Sequence, residues 1–85
     1  MLVKKLTPVY PEMAKRLREQ GTVVVGATIG IDGKIHGAEV VIAPSELLGA
    51  AALDAVSHWE YKPYLLNGEP VEVETTVTVT FSLGG

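Results

Sequence analysis

The clearest pattern in the chain is an alternation of apolar and polar positions near its C-terminal end. In "PVEVETTVTVTFSL" Val71, Val73, Val77, Val79 and Phe81 fall on one side, and Glu72, Glu74, Thr76, Thr78 and Thr80 fall on the other. A period of two marks a strand with one buried face. About twelve residues is long for a strand in a small domain. A second alternating stretch, "TVVVGATIGIDGKIHGAEVVI", folds back on itself. Val23, Val25, Ala27 and Ile29 share one face. Asp32-Gly33 makes the hairpin turn, with glycine supplying the positive φ. Pairing across that turn sets Ala38, Val40 and Ile42 on the same face. The opposite face carries Val24, Gly26, Thr28, Gly30, Gly37, Glu39 and Val41. Glycine is costly inside strands, so that face is thin and exposed, or other backbone approaches it closely.

Two stretches switch to helical spacing. In "TPVYPEMAKRLREQG" Pro11 stands in the first turn, where a missing N–H does no harm. Glu12 suits the positive end of the helix dipole. Met13, Ala14 and Leu17 make the apolar stripe, Lys15, Arg16, Arg18 and Glu19 face water, and Gly21 closes the helix. Pro8 and Pro11 keep the lead-in extended. Ser45 caps the second helix, and Leu48, Ala52, Ala55, Val56 and Trp59 line one side of it. Its alanines allow close packing on a sheet. In "HWEYKPYLLNGEPVEVE" the aromatics Trp59, Tyr61 and Tyr64 crowd around Pro63, ahead of the turn signal Asn67-Gly68. The stretch reads as a corner between helix and final strand. Trp59 seals the core, Tyr61 packs at the bend and Tyr64 stays exposed.

The order helix-strand-strand-helix-strand gives an α+β fold, a three-stranded antiparallel/mixed sheet with two helices packed on one face. The crossover through the second helix places the last strand beside the first hairpin strand and parallel to the second. The last strand is then an edge with a row of unpaired backbone groups. Its threonine and glutamate face limits aggregation and leaves the backbone able to pair with a peptide.

Composition narrows the functional classes. The 85 residues make one domain, and a hydrophobic content of 47% supports a folded core. A net charge of −3 argues against nucleic acid. Lys4, Lys5, Lys15, Arg16 and Arg18 concentrate the positive charge at the start, and only Lys34 and Lys62 follow. This reads as a solvated helix face. Cysteine is absent, which removes disulfide and thiolate chemistry. "MLVKKL" is too short for a signal peptide or a membrane span. His36 and His58 lack a third ligand at metal spacing. His58 suits a helix C-terminus, and His36 a strand surface. Nothing brings Ser45 or Ser57 into a triad. Glu69, Glu72 and Glu74 read as solvated charge. "GATIG" and "GIDGKIHG" lie in strands and a turn and open no helix, so they make no phosphate loop. No catalytic, cofactor or metal site is expected, and the chain is not expected to be an enzyme.

The order of motifs resembles a known family. "PVYPEMAKRLREQGTVVVGATIGIDGKI" is similar to the start of the TonB C-terminal domain, with its Pro-x-Tyr-Pro lead, helix-ending glycine, valine-rich strand and Asp-Gly turn. "ALDAVSHWEYKPYLLNGEPVEVETTVTVTF" resembles its second half, a helix ending in Trp, an aromatic-x-Pro, an Asn-Gly-x-Pro-Val turn and a final strand ending in Phe. The resemblance runs from Pro8 to Leu83. It implies a lead-in over residues 1–7, the domain over 8–83 and a tail at 84–85. It implies a periplasmic domain whose full-length protein is anchored in the inner membrane by a segment not in this chain. It also implies an ExbB/ExbD-type motor as energy source, and a TonB-dependent outer-membrane receptor whose TonB box adds as a strand to the last strand. The pairing residues would be Val73, Glu74, Thr75, Thr76, Val77, Thr78, Val79 and Thr80. Further receptor contacts would come from Thr7, Val9 and Tyr10, with Thr7 standing where well-known members carry Gln. Two other readings stay open. One is an oligomerising module that pairs its own edge strand in a homodimer. The other is a TonB-like adaptor in a sensor or other envelope protein.

Overall fold

The computed structural model describes residues 2–83. Met1 and the expected tail at 84–85 lie outside the described residues. In chain order the elements are β1 (Leu2–Lys4), α1 (Glu12–Arg16), β2 (Gly21–Ile29), β3 (Ile35–Ile42), α2 (Glu46–Val56), β4 (Glu60–Tyr61), β5 (Tyr64–Leu66), β6 (Glu69–Val71) and β7 (Val73–Phe81). The main sheet has the order β3-β2-β7, with β2 antiparallel to both neighbours. The last strand therefore lies beside the first hairpin strand and runs parallel to the second, as the crossover requires. Both helices cover one face of this sheet, and the α+β expectation holds.

The alternation in β2 and β7 builds the core. Val23, Val25, Ala27 and Ile29 are buried from β2, and Val77, Val79 and Phe81 from β7. Leu48, Ala52 and Val56 of α2 pack onto the sheet, Ala55 is buried as well, and Trp59 closes the end at 5% exposure. Ser45 caps α2 as its sequence predicts, with Oγ accepting from the Leu48 N–H at 3.2 Å. At the other end of α2 the His58 ring lies 2.8 Å from the Asp54 carbonyl, and its Nδ1–H donates there.

The first helix departs from the expectation. It holds 5 residues, not the span up to Gly21, and Arg18 breaks it at φ +56. Of the expected stripe only Ala14 is buried, while Met13 and Leu17 are exposed. The reason is local. A helix this short turns one position inward, and Tyr10 fills the remaining space. Its ring meets Phe81 edge-on at 5.3 Å and 80°, and its hydroxyl donates to the Glu19 carbonyl. Gly21 is not a helix cap. It opens β2 at φ +139, where a side chain would press on Pro44.

Ile42 is a second departure. β3 carries two extra residues against β2, since Val25 pairs with Val40 but Val24 with Ile42, and Thr28 pairs with Gly37 but Ile29 with Ile35. Each bulge breaks the alternation. Ile42 ends up exposed, off the face that holds Ala38 and Val40.

The third departure lies in the aromatic corner. The twelve-residue strand divides at Glu72. Its first part is β6, which pairs with β5 in a separate hairpin around Asn67-Gly68, at φ 53 and 83. Tyr64 through Pro70 are exposed along this arm. Tyr61 packs at the bend and Tyr64 is exposed, as expected. The lead-in docks here too. β1 pairs with β4, and the Trp59 indole donates to the Leu6 carbonyl at 2.9 Å.

The glycine-rich hairpin answers both sequence readings of its glycines. Gly26 and Gly37 lie on the uncovered face. Gly33, at φ +82, has Tyr61 backbone directly over it: the Tyr61 N–H donates to its carbonyl at 2.7 Å, and a Cβ would collide with the Tyr61 carbonyl. Gly68 has the same φ region and nothing near it. Gly68→Ala is expected to cost about 1–2 kcal/mol, the left-handed backbone alone. Gly33→Ala should cost about 3 kcal/mol, because the collision adds to it. Urea unfolding of both variants checks the difference. At the same turn the Lys34 N–H (3.0 Å), and then His36 (2.9 Å to both oxygens), hold the Asp32 carboxyl below its ordinary 3.8. The stabilisation from this group is complete above that ordinary value and is lost as pH falls through the lowered one. In an NMR pH titration Asp32 should titrate low, and His36→Ala should move it part of the way back.

Candidate functional site

A sheet of three strands has two edges, and here they differ. β3 is bulged twice, and irregular edges resist pairing with other chains. β7 runs against β2 for nine consecutive pairs, from Gly21↔Phe81 to Ile29↔Val73, with no register shift. Among the described residues nothing pairs with its outer side. β7 is the straight, open edge.

Two observations give the orientation of its backbone groups. The Gly30 N–H bonds to the Lys34 carbonyl across the hairpin at 2.9 Å, so Gly30 faces β3. Backbone groups alternate sides along a strand. Ile29, and with it Ala27, Val25 and Val23, therefore face β7. Their partners Val73, Thr75, Val77 and Val79 turn their N–H and C=O groups inward. Glu74, Thr76, Thr78 and Thr80 present theirs to the free edge. The Asn67-Gly68 hairpin gives the same parity from the other end. Leu66 and Glu69 close a two-residue turn and bond to each other, so the next pair, Leu65 and Pro70, does not. Pro70 thus points its nitrogen outward, where no N–H is available to an incoming strand. Glu72 is the last outward residue before this stop.

The expected site residues divide accordingly. The side chains of Glu74, Thr76, Thr78 and Thr80 are exposed on the face away from the helices, Val73 and Thr75 are half-buried, and Val77 and Val79 are in the core. These last two offer a partner only their place in the strand. Thr22 and Thr80 sit hydroxyl to hydroxyl at 3.3 Å across the ladder. Gly26, Thr28 and Gly37 floor a shallow trough on the same face, and Glu39, Glu74 and Thr76 line it as well. In the lead-in Thr7 and Val9 are exposed, Val9 at 79%. Tyr10 is half-buried, and its contacts with Phe81 and Glu19 bring the lead-in beside the Phe81 end of β7. Phe81 and Pro70, which mark the two ends of the edge, were absent from the sequence-derived set. Pro70 was legible in principle, because a two-residue turn fixes which side of the strand it faces.

The open trough gathers no chemistry. Among the described residues no group of His, Cys, Asp and Glu could hold a metal. Burial raises the Tyr61 phenol above its ordinary 10. What the edge can do is form backbone hydrogen bonds. In hydrogen exchange the amides of Glu74, Thr76 and Thr78 should exchange at least tenfold faster than those of Thr75, Val77 and Val79. Equal protection along the strand would contradict the assigned parity.

Known proteins share this arrangement. The family described as "Gram-negative bacterial TonB protein C-terminal" matches residues 7–83, close to the span from Pro8 to Leu83 that the motifs indicated. Protein TonB of Vibrio cholerae is 28% identical over 82 residues, which cover 95% of this chain and 34% of that protein. Protein TonB of Klebsiella pneumoniae is 30% identical over 84 residues, covering 98% and 32%. The chain spans about a third of the length of these relatives. The solution NMR structure of the Pseudomonas aeruginosa TonB CTD superposes with a TM-score of 0.82 at 28% identity, over 100% of this chain and 87% of that one.

Proposed function

The chain belongs to the family of Gram-negative bacterial TonB C-terminal domains, and from that premise we propose that it is the receptor-gripping module of a TonB-type energy transducer. It works in the periplasm, without catalysis, by adding the TonB-box segment of an outer-membrane receptor to β7 as a fourth strand. In the whole protein an ExbB/ExbD-type motor in the inner membrane supplies the energy, and the grip passes it to the receptor. The observation that carries this reading is the nine-pair, unbulged β7 edge with its outward groups unused.

The energetics suit a reversible grip. A segment that meets three outward residues makes about six hydrogen bonds, each worth a net 0.5–1.5 kcal/mol. Ordering the peptide offsets much of that gain. The balance is weak to moderate affinity, set by backbone more than by side chains. Bonds perpendicular to the strands also share a load applied along them, so a pull in shear strains several together. Thr7 and Val9 extend the contact beyond the Phe81 end. Tyr10 contributes by holding the lead-in there, since its own side chain is turned to Phe81 and Glu19.

Proline distinguishes this mechanism from a side-chain interface. At Thr76 or Thr78 it removes an outward N–H and leaves the β2 ladder intact. Thr76→Pro and Thr78→Pro should stay folded and bind a TonB-box peptide about two- to tenfold more weakly. Val77→Pro removes an inward N–H and should unfold the domain, at a cost of about 3 kcal/mol or more. Peptide titration followed by backbone NMR checks all three. Unchanged affinity in a folded Thr76→Pro variant would overturn strand addition. Concentration-dependent self-pairing through β7, seen by light scattering, would favour the oligomerising module in its place.

A further inference from the structure

The helical layer covers the sheet unevenly. Val25 and Ala27 of β2 and Val77 and Val79 of β7 are buried. On the same face in β3, Ala38 is only half-buried and Val40 is 36% exposed. Between β3 and α2 this leaves a groove of about 500 Å³. Ile35 and Ala38 form its strand wall, Ala50 and Leu53 its helix wall, and Asp54 and Ser57 stand at the last turn of α2. Val40 continues the seam toward Gly49, where an added Cβ would lie 3.5 Å from it. These walls are small and apolar, so a second backbone can come close. From Ile35 to Tyr61 the chain has no Lys or Arg and four acids, Glu39, Glu46, Asp54 and Glu60. Glu39 is turned to the open trough, and Glu60 pairs with Lys4 at 3.8 Å. Asp54 lines the groove, and Glu46 stands two turns earlier on the same side of α2. Both are exposed and in no ion pair among the described residues. His36 reaches the groove too, but its ring is held 2.9 Å from the Asp32 carboxylate. Lys34 precedes Ile35 and takes the opposite face of the strand. The cations of α1 belong to the β7 side, where Tyr10 packs on Phe81 and bonds to the Glu19 carbonyl.

We propose that this groove docks a cationic amphipathic helix of a partner protein, laid beside α2 over β3. A strand is a poor occupant, because two bulges interrupt the β3 edge. A helix needs only side-chain contacts and packs with its axis about 8–10 Å from that of α2. Its apolar stripe would cover Ala38, Val40, Ala50 and Leu53, and Lys or Arg beside the stripe would meet Glu46 and Asp54. α2 spans 11 residues, about 16 Å at 1.5 Å per residue, so a partner helix of about three turns matches it. A second copy of this chain fits less well. Its α2 is already the wall of a groove, and its α1 has only 5 residues. The order β3-β2-β7 puts the groove and the open β7 edge on opposite sides of the sheet, so a receptor segment and this helix can be held together.

The test titrates the domain with three peptides of about twelve residues and follows its backbone amides by NMR. One is a helix with a Leu/Ala stripe flanked by Lys, one is its scramble of equal composition, and one is the striped helix with Glu for Lys. The striped Lys peptide should shift the amides of Ala38, Ala50 and Leu53 and bind about tenfold more tightly than either control. Ala50→Arg fills the groove from an exposed position and favours the helix. It should abolish those shifts while the rest of the spectrum keeps its folded pattern. Glu46→Gln/Asp54→Asn should weaken binding about two- to fivefold and reduce its salt dependence. Equal binding of the scramble would reduce the effect to bulk charge and overturn the proposal, as would shifts centred on β7, or none at millimolar peptide. A dimer of the free domain in light scattering that Ala50→Arg dissolves would also overturn it, and would give the groove to a second copy. Strand addition at β7 is read separately, from the shifts a TonB-box peptide causes at Thr76 and Thr78.

Discussion

The β2–β7 ladder is the constraint on which the rest of the structure depends. Nine antiparallel pairs in constant register tie the last element of the chain to the first strand of the main sheet. A one-residue slip would turn Val77, Val79 and Phe81 to solvent and Thr76, Thr78 and Thr80 into the core. The same ladder fixes which backbone groups remain outside. Burial of the valine face under α2 and exposure of an unused row of N–H and C=O groups are one event. A domain this small has little stability to spare, and here one nine-residue strand supplies both core side chains and an open edge.

Much of this was legible in the sequence. Period two alone located β2 and β7, and the hairpin turn fell at Asp32-Gly33. The crossover through α2 left one topology, with β7 at the edge. Ser45 and the buried face of α2 followed from capping and helical spacing. What alternation could not show was where it breaks. The bulge that exposes Ile42 lies where β3 carries one residue too many between its pairs with Val24 and Val25. Glu72 looks like any other outward residue of the long alternating run, yet there β7 exchanges β2 for the Tyr64–Val71 hairpin. The first helix failed differently. Its apolar positions suit a longer helix, but Tyr10, from an extended lead-in, packs on Phe81, and Leu17 is left exposed. A tertiary contact overrode local propensity.

The candidate site was half legible. The sequence identified the strand, because a long alternating edge with threonines outside is a visible pattern. It did not reveal that the other edge is spoiled, which is what makes β7 the one suited to pairing. Nor did it reveal that the outward groups belong to the even-numbered residues, bounded by Pro70. The Thr7–Tyr10 lead-in acquires meaning only once Tyr10 is seen pinned against Phe81. Edge, parity and stop together describe a strand edge whose backbone groups are open to pairing with an extended chain.

The proposed function requires a receptor segment to become the next strand of the sheet at β7. Hydrogen exchange of the complex with a TonB-box peptide tests it most directly. Strand addition predicts that the amides of Glu74, Thr76 and Thr78 gain protection on binding, while those of Val77 and Val79, already bonded to β2, change little. Protection that appears instead on β3 or on the helices, or nowhere on β7 at saturating peptide, would contradict it.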